Sequence, residues 1–594
     1  MDKIRECLKD VVKRLFGVEI EAELAVAPAE TGADYACNMA MKLAKVAHKA
    51  PLMIAEEIKA ELEKTDLPEI ARMEVAAPGF LNLTLSTEYL KRKASELGTD
   101  DVQLLQGRTD SYDGKMVVTE FSDPNPFKVL HVGHLYTSIV GDSISRLIEL
   151  AGAVVKRVNF GGDVGLHVGK TMYGLLRSEG ASGDLTIEQI ARCYVEGTRA
   201  YEEDEAAKQE ITELNKIIYA LAELGEEKSH ERLELEKVAE DFERSTAEIV
   251  VIADLYWRGR TLSYEYFKDF YAQIGVKFDK FYPESTVMDK GLAEVRGHIG
   301  EVYEESEGAI VYRGEKKGLH TRVFINREGV LTYETKDVGL IFTKWDDWRF
   351  DESVVITGNE QTDYMKVVLA SVEEYAPELV ERTRHLTHGL VKLKGGVKMS
   401  SRKGNFLKAV DVLGMVRGIL AEKNGGEADE KVVLAAVKYA FLKYKMGGDI
   451  IFDPEESVST TGNSGVYLLY STVRAKKILQ KIGEKGGKNE NFNKSVEKPV
   501  ENSEDREEMS AFERGLYKKI VQFEEVLCEA AEGKAPYKVC GHLYELAQEF
   551  SRFYEREQVV GGERETELVE LVKIYVNVME RGLGVLGIEV PERM

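Results

Sequence analysis

Cysteine is scarce in this chain of 594 residues, and the five cysteines stand far apart: Cys7, Cys37, Cys193, Cys528 and Cys540. An odd number at such wide spacing forms neither a disulfide framework nor the paired knuckle of a structural zinc site. The sequence therefore predicts buried thiols in a reducing, cytoplasmic compartment and no structural zinc.

Long apolar runs are also absent. No run approaches the ~18 residues that a membrane-spanning helix needs, so no membrane partner is expected. The first residues, Met1 to Phe16, mix acidic and basic side chains and have no apolar core. They predict a helix and not a targeting peptide. The length of the chain predicts several domains with ample core.

Basic residues are in the minority, with 80 Lys and Arg against 104 Asp and Glu and a net charge of −24. This balance argues against a general nucleic-acid binder, whose whole surface is basic. It does not exclude an RNA enzyme with positive charge on one face, because RNA loops are also recognised by stacking and base-edge contacts.

A strand–turn–helix–strand pattern is present between residues 116 and 158. The run Met116 to Phe121 is rich in β-formers, and Pro124 ends it. Apolar residues then recur at helical spacing from Gly133 to Leu150, and a new apolar strand covers Val154 to Val158. This is the first unit of a doubly wound parallel sheet, in which ligands bind at the carboxyl ends of the strands.

The turn of this unit carries His131, Gly133 and His134. Two histidines and the free amides of a helix start around one point suit a phosphate. Gly133 has no side chain, so a planar base could approach the backbone there. A helix start with two solvated histidines explains these residues equally well, since short motifs have many false positives.

A second motif is a basic run without acids: Lys392, Lys394, Lys398, Arg402 and Lys403. Interspersed glycines suit a mobile clamp on a polyphosphate leaving group. The alternative is a solvated surface loop, which is what most charge runs are. Together and in this order, the two motifs predict a site that holds ATP from two sides.

The pair of motifs resembles the signatures of class I aminoacyl-tRNA synthetases, and the residues around them resemble the arginyl branch of that family. Ser122, Pro124, Asn125 and Lys128 match a family pattern ahead of His-x-Gly-His. Further similar segments are 22–83, 159–165, 332–337, 358–361, 463–474 and 586–594. One departure is Ser401, where class I enzymes usually carry a second lysine. Lys128 occupies the place of the compensating lysine found in such arginyl enzymes.

The resemblance implies ligation of L-arginine to the 3′-terminal ribose of tRNA-Arg through an arginyl-adenylate, with Mg²⁺ accompanying ATP. The implied catalytic residues are Lys128, His131, His134, Lys398 and Arg402. The implied ATP contacts are Gly133, Met399, Ser400 and Ser401. The implied tRNA contacts are Tyr467, Tyr470, Arg474 and Met594. A monomer in the cytoplasm is expected.

Arginine selection has a physical basis, because a guanidinium presents a planar fork of donors that carboxylates meet best. Tyr333 and Asp337 share a face if Thr332 to Phe342 is helical. The resemblance implies that these two residues bind the guanidinium. It implies that the α-ammonium group and the adjacent polar groups are held by the other arginine ligands: Glu120, Ser122, Asn125 and Gln361. The division of roles between Glu120 and Asp337 stays open.

Three domains are predicted. Residues 1–110 form an α+β additional domain that binds the tRNA core, and residues 114–410 form an α/β Rossmann-like catalytic domain. Residues 411–594 form a helical stem and anticodon-binding bundle. Within them, 183–250 is a charged helical insertion, best explained as a solvated surface helix. The stretch 483–508 has almost no apolar content and predicts a flexible loop.

Other functions are compatible with parts of this pattern. A glutamyl, cysteinyl or class I lysyl synthetase shares the ATP motifs. The lack of a Cys/His cluster disfavours the cysteinyl type, and the pair Tyr333 and Asp337 disfavours an acidic amino acid. A catalytically inactive tRNA-binding relative would not need intact His131, His134 and Lys398. A simple nucleotidyltransferase would not explain the flanking domains.

Overall fold

A computed structural model describes residues 1–99, 112–178, 183–395, 407–486 and 509–594. The chain folds into two compact units, each assembled from three segments. The first unit comprises Met1–Leu104, Ser471–Glu525 and His542–Arg581. The second comprises Leu105–Tyr470, Val526–Gly541 and Gly582–Met594. Across the described ranges, no helix is long and apolar enough to cross a membrane.

The amino-terminal part of the first unit is an α+β arrangement, as predicted. Its elements are α1 (Asp2–Phe16), β1 (Leu24–Val26), β2 (Tyr35–Cys37), α2 (Met39–Ala47), α3 (Pro51–Leu62), β3 (Ile70–Ala76), β4 (Phe80–Leu85) and α4 (Thr87–Leu97). The four strands form an antiparallel sheet in the order β1-β2-β4-β3. Helix α1 ends at Gly17, whose φ of 69° is a left-handed helix stop.

The core of the second unit is a five-stranded parallel sheet. Its first elements are β5 (Met116–Glu120), α5 (Val132–Leu150), β6 (Val154–Gly161), α6 (Leu166–Arg177), α7 (Ile187–Glu203), α8 (Glu205–Leu224), α9 (Arg232–Asp241), α10 (Thr246–Gln273), β7 (Lys280–Pro283) and α11 (Met288–Gly297). There follow β8 (Glu304–Ser306), β9 (Ala309–Tyr312), β10 (Arg322–Ile325), α12 (Tyr333–Trp348), β11 (Glu352–Gly358), α13 (Thr362–Glu373), α14 (Pro377–Glu381) and β12 (Thr383–His388).

The strand order β12-β11-β5-β6-β7, with every neighbouring pair parallel, is that of a doubly wound nucleotide-binding sheet. The chain starts in the middle at β5, moves outward through β6 and β7, and returns to the other side through β11. The point where the order reverses therefore lies between β5 and β11, where such folds bind ligands. Strands β8, β9 and β10 form a separate antiparallel sheet.

The charged stretch around residues 183–250 is helical, as expected, but it is not a solvated surface helix. Helices α7 to α10 pack with α6 around a shared apolar core, and α10 continues to Gln273. On α8, the residues Ile211, Leu214, Ile218 and Leu221 recur at helical spacing and are fully buried. The charges that dominate the composition occupy the outer faces of these helices.

The remaining elements are β13 (Val391–Leu393), α15 (Ala409–Asn424), α16 (Glu430–Leu442), β14 (Ile450–Phe452), α17 (Pro454–Ser457), α18 (Gly465–Gly486), α19 (Ala511–Glu532), α20 (Pro536–Arg556) and α21 (Glu565–Val585). The expectation of helix throughout this region is wrong at β14. Its Ile-Ile-Phe run is β-forming and pairs in parallel with β13.

Charged contacts hold the carboxy-terminal helices to the amino-terminal domain within the first unit. Arg514 donates to the buried carboxylate of Asp34 at 2.6 Å, and Arg581 donates to the carbonyl of Leu97 at 2.9 Å. In the turn before α21, Arg564 makes a bidentate pair with the fully buried Glu513 of α19, with both bonds 2.7 Å long. Such fork-shaped pairs fix geometry as well as charge.

Candidate active site

The start of α5 is capped by the two histidines predicted to bind ATP. His131 is the N-cap, and its Nδ1 accepts a hydrogen bond from the Gly133 amide at 3.1 Å. In return, the amide of His131 donates to Nδ1 of His134 at 3.1 Å. The two rings stack with their centroids 3.8 Å apart. A side chain on Gly133 would collide with the His131 ring, because its Cβ would lie 2.8 Å from Cε1.

This reciprocal cap determines how the histidines can act. Each Nδ1 accepts a backbone N–H, so the neutral ring carries its proton on Nε2. Burial, followed by the nearby charge of Lys128, lowers the pKa of His131 to about 4. Burial and the neighbouring His131 hold the pKa of His134 well below its usual value. At neutral pH both rings are therefore uncharged N–H donors, which is what the sequence interpretation requires of a phosphate-binding pair.

The turn between β5 and α5 has an unusual backbone. Ser122, Asp123 and Phe127 adopt φ values of 77°, 47° and 66°, a region that non-glycine residues seldom occupy. The side-chain oxygen of Asn125 fastens this turn to the next strand by accepting from the Gly162 amide at 2.8 Å. Strained residues held by their surroundings are typical of ligand sites.

The same bond bears on the predicted role of Asn125. Because its carbonyl oxygen already accepts from Gly162, the group that it presents to a ligand is the amide NH₂, a donor. Asn125 is thus better suited to an oxygen of the substrate than to an α-ammonium group.

A cavity of about 1290 Å³ opens at the carboxyl ends of β5, β11 and β12. Nine of the predicted site residues line it: Glu120, Ser122, Asn125, His131, Gly133, His134, Tyr333, Asp337 and Gln361. Tyr333 and Asp337 are one turn apart on α12, as the i, i+4 spacing predicts. Tyr333 is 55% exposed, so its ring is available to a ligand.

Six acidic side chains line the cavity: Glu120, Asp123, Glu284, Glu334, Asp337 and Glu360. Glu120 is paired with the buried Lys344, and Glu284 with the buried Lys336 at 2.6 Å. Across the ranges that the structure describes, Asp337 forms no salt bridge; it accepts a hydrogen bond from the Tyr364 hydroxyl.

Burial raises the pKa of Asp337 to about 8, and the charges of Glu120 and Glu284 add to the rise, whereas the hydrogen bond from Tyr364 and the charge of Lys344 oppose it. A guanidinium arriving beside this carboxyl would favour its ionised form. Asp337 is therefore chemically suited to a cation, and the histidine donors to phosphate.

Lys128 lies next to the cavity, although it is not among the lining residues. Its ammonium nitrogen is 5.1 Å from the centroid of the Tyr194 ring. Burial and the charge of Lys170 lower the pKa of Lys128 to about 8. Its charge in turn lowers the pKa values of His131 and His134, so the three predicted phosphate ligands are electrostatic neighbours.

Five predicted residues of the second motif lie outside the described part of the chain: Lys398, Met399, Ser400, Ser401 and Arg402. The described residues on either side of them, Gly395 and Leu407, both line the cavity. The amide of Val132 donates to the carbonyl of Leu407 at 2.9 Å. The described residues that flank the second motif thus lie at the cavity and beside the start of α5.

The basic run is partly neutralised by residues far along the chain. Lys392 pairs with Asp449, and Lys394 pairs with Asp453, each at 2.6 Å. These aspartates flank β14, which the sequence did not predict.

The four predicted tRNA contacts do not line the cavity. Tyr467, Tyr470 and Arg474 follow one another along α18. Tyr470 is 45% exposed, whereas Arg474 stacks over the ring of Tyr554 at 3.9 Å. Met594 is 42% exposed.

Several site residues escaped sequence analysis. Asp123, Glu284, Arg322, Glu334 and Tyr364 all line the cavity. Asp123 lies between Ser122 and Pro124 of the first motif, so its carboxylate could have been predicted from the sequence as a site residue. Tyr364 reaches Asp337 from α13 and has no local signal in the sequence. Within the described ranges, no group of three or more His, Cys, Asp or Glu side chains could hold a metal ion.

The sheet order, the strained turn and the histidine cap define a nucleotide-binding enzyme domain of the doubly wound class. Comparison with protein families gives three matches. The model of the class I tRNA synthetases (R) catalytic domain matches residues 100–453. The arginyl tRNA synthetase N terminal domain matches residues 2–85, and the DALR anticodon binding domain matches residues 468–594. The first match covers more than half of the chain, and the chain therefore belongs to the class I tRNA synthetases of the R type.

Curated relatives agree along almost the whole length. An "Arginine--tRNA ligase" of Fusobacterium nucleatum is 29% identical over 590 residues, which cover 96% of this chain and 95% of the relative. A protein of the same name from Bacteroides thetaiotaomicron is 26% identical over 623 residues, covering 100% and 99%.

Solved structures share the fold. The Thermus thermophilus arginyl-tRNA synthetase superposes with a TM-score of 0.73 at 22% identity, with full coverage of both chains. The Plasmodium falciparum enzyme gives a TM-score of 0.74 at 18% identity, covering 100% of this chain and 99% of the other. The predicted family, fold class and enzyme class are confirmed.

Proposed function

We propose that this chain ligates L-arginine to the 3′-terminal ribose of tRNA-Arg in two steps, using ATP. The observation that carries the proposal is the set of groups that line the cavity. Two uncharged histidine donors, with Lys128 beside them, suit a triphosphate, and the Asp337 carboxyl has no salt-bridge partner among the described residues. Once ionised, that carboxyl suits the guanidinium of arginine.

In the first step, a carboxylate oxygen of arginine attacks the α-phosphorus of ATP in line. The bond from this phosphorus to the bridging oxygen breaks, and pyrophosphate leaves with the electron pair, so that arginyl-adenylate remains. No protein nucleophile is needed, and catalysis consists of positioning and charge stabilisation. Nε2–H of His131 and of His134 would donate to phosphate oxygens as negative charge builds up.

Cations assist the departure of pyrophosphate. Lys128 provides one ammonium group, and Mg²⁺ accompanies ATP as its counter-ion. Lys398 and Arg402 are predicted to complete this set, with Met399, Ser400 and Ser401 contacting ATP.

In the second step, the terminal ribose hydroxyl of tRNA attacks the carbonyl carbon of the adenylate. The ester forms, AMP leaves and the hydroxyl proton is released. The tRNA would be held by Tyr467, Tyr470, Arg474 and Met594, together with the amino-terminal domain. Exposed aromatic rings such as that of Tyr470 are suited to stacking on unpaired bases.

For arginine, Tyr333 and Asp337 are proposed to bind the guanidinium. Glu120 forms a salt bridge with Lys344 through one carboxylate oxygen. Its other oxygen is proposed to accept from the α-ammonium group of arginine. Asn125, Ser122 and Gln361 complete the site. The division into domains 1–110, 114–410 and 411–594 remains a prediction, as do the monomeric state and the cytoplasmic location.

The test is exchange of labelled pyrophosphate into ATP with each of the twenty amino acids, with and without total tRNA. Exchange with arginine alone supports the proposal. Exchange with another amino acid would preserve the ATP site but contradict the roles of Tyr333 and Asp337. Absence of exchange under all conditions would favour a tRNA-binding protein without catalytic activity.

A further inference from the structure

Two tyrosines of the helical insertion contact lysines near the cavity. Tyr194 of α7 and Tyr219 of α8 each contact a lysine that stands at or beside the site. Both tyrosines lie close enough to Tyr333, the proposed guanidinium ligand, to add to the rise that burial causes in the pKa of its hydroxyl. Nothing in the charge-rich sequence of the insertion predicts such a role.

The first of these lysines is Lys336, on α12 between Tyr333 and Asp337. Its side chain is 2% exposed. Its ammonium donates to Glu284 at 2.6 Å and to the Tyr219 hydroxyl at 2.8 Å. The rings of Tyr219 and Tyr333 both lie 5.2 Å from the ammonium nitrogen.

A buried ammonium group needs partners for its N–H bonds, because an unsatisfied one is costly. Glu284 satisfies one bond, and the Tyr219 hydroxyl satisfies a second. Lys336 precedes Asp337 by one residue and follows Tyr333 by three, so its anchoring fixes the turn of α12 that carries both arginine ligands. The Tyr219 hydroxyl is therefore a support for that turn.

The second lysine is Lys128. Its ammonium lies 5.1 Å from the Tyr194 ring, within the range of a cation–π contact. An aromatic ring attracts the ammonium without a full negative charge. A carboxylate in the same place would compete with the phosphate for the ammonium. The ring therefore contacts Lys128 without a salt bridge, although the charge of Glu284 also attracts the ammonium.

We propose that Tyr194 and Tyr219 are positioning residues of the active site. Tyr219 holds Lys336 so that Tyr333 and Asp337 face arginine, and Tyr194 holds the Lys128 ammonium toward the triphosphate. This inference rests on the proposed function. It implies that the helical insertion supports both the arginine site and the ATP site.

The experiment measures KM for arginine and for ATP in pyrophosphate exchange, with tRNA present, for four variants of the full chain. Tyr219→Phe removes only the hydroxyl, and we expect KM for arginine to rise about 10-fold with KM for ATP unchanged. Tyr194→Leu removes the ring, and we expect KM for ATP to rise about 5-fold with KM for arginine unchanged.

Two variants serve as matched controls. Tyr194→Phe keeps the ring, so both KM values should stay within about 2-fold of wild type. Tyr173→Leu removes a ring from the neighbouring helix α6, one that lies 3.6 Å from the guanidinium carbon of Arg177, and neither KM should change. Melting temperatures measured by circular dichroism identify any variant that has lost its fold.

The outcomes separate the two proposals. A wild-type chain without exchange contradicts the proposed function itself. An active wild type whose Tyr219→Phe and Tyr194→Leu variants keep normal KM values overturns the inference. It is also overturned if Tyr194→Phe is as impaired as Tyr194→Leu. If Tyr194→Leu does not fold, the single-atom change Tyr219→Phe decides.

Discussion

Arginine binding should weaken about tenfold for each pH unit below 8, because the proposed guanidinium ligand titrates there. Asp337 has a pKa of about 8 in the unliganded protein. A guanidinium remains protonated throughout this range and pairs with a carboxylate, so Asp337 must release its proton for arginine to bind. The affinity therefore rises with pH until the carboxyl is ionised and then levels off.

The magnitude follows from the pKa. One pH unit corresponds to about 1.36 kcal/mol, so at pH 6 the cost of removing the proton is about 2.7 kcal/mol. That cost is equivalent to roughly 100-fold weaker binding than on the plateau. Binding at pH 7 should release close to one proton per arginine, since Asp337 is mostly protonated before binding and ionised after it.

Isothermal titration calorimetry without ATP or tRNA measures both quantities. Affinities are recorded from pH 6 to 8.5, and titrations in two buffers of different ionisation enthalpy give the number of protons released. Asp337→Asn should bind weakly with no pH dependence. Tyr364→Phe removes the hydrogen bond that lowers the pKa of Asp337, so its profile should shift to higher pH by about one unit.

Two results would refute this reasoning. One is a wild-type affinity that changes less than about 3-fold between pH 6 and 8, where the linkage relation requires about 50-fold because Asp337 is only half ionised at pH 8. The other is a Tyr364→Phe profile that coincides with that of wild type, which would mean that the titrating group is not Asp337.

Other predictions concern the ATP site and the packing of the sheet domain. Lys128→Met removes one charge-assisted contact to the phosphates and should slow single-turnover adenylation at least about 10-fold. Its tRNA affinity in a filter-binding assay should stay at the wild-type level. Glu120→Gln leaves the buried Lys344 without its anion and should lower unfolding stability by about 3–5 kcal/mol in urea titrations, and adding Lys344→Met should recover part of the loss. Gly339→Ala places a Cβ 2.1 Å from a backbone carbonyl at the start of α11 and should reduce the melting temperature, whereas Gly414→Ala, with open space around it on α15, should leave it equal or higher.

The helices that carry the candidate site residues depend on local sequence and were predicted well. The helix expected from Gly133 to Leu150 is observed from Val132 to Leu150, because apolar periodicity and the preceding turn are properties of neighbouring residues. The i, i+4 spacing of Tyr333 and Asp337 placed both on one helix facing the cavity.

Contacts between distant segments could not be predicted in this way. Lys344 neutralises Glu120, and Tyr364 donates to Asp337, across long stretches of chain. Charge pairing of this kind leaves no periodic pattern, since a buried lysine and an exposed one look alike in a sequence. The prediction of a solvated surface helix for residues 183–250 was wrong for the same reason. The charged residues that dominate its composition lie on the outer faces of the helices, whereas the apolar core between the helices depends on contacts among distant segments.

The division of the chain into two units has a consequence for its synthesis. The polypeptide passes between the units five times, and each unit takes its last segment from beyond residue 541. Within the second unit, Lys438 donates to the carbonyl of Gly587 at 2.5 Å, and Ser143 donates to that of Val585 at 3.2 Å. A nascent chain on the ribosome therefore lacks parts of both units until translation has passed these positions. The strands of the parallel sheet are translated early, but the unit that contains them is complete only after the last residues have been translated. A premature stop in α21 would therefore leave both units incomplete.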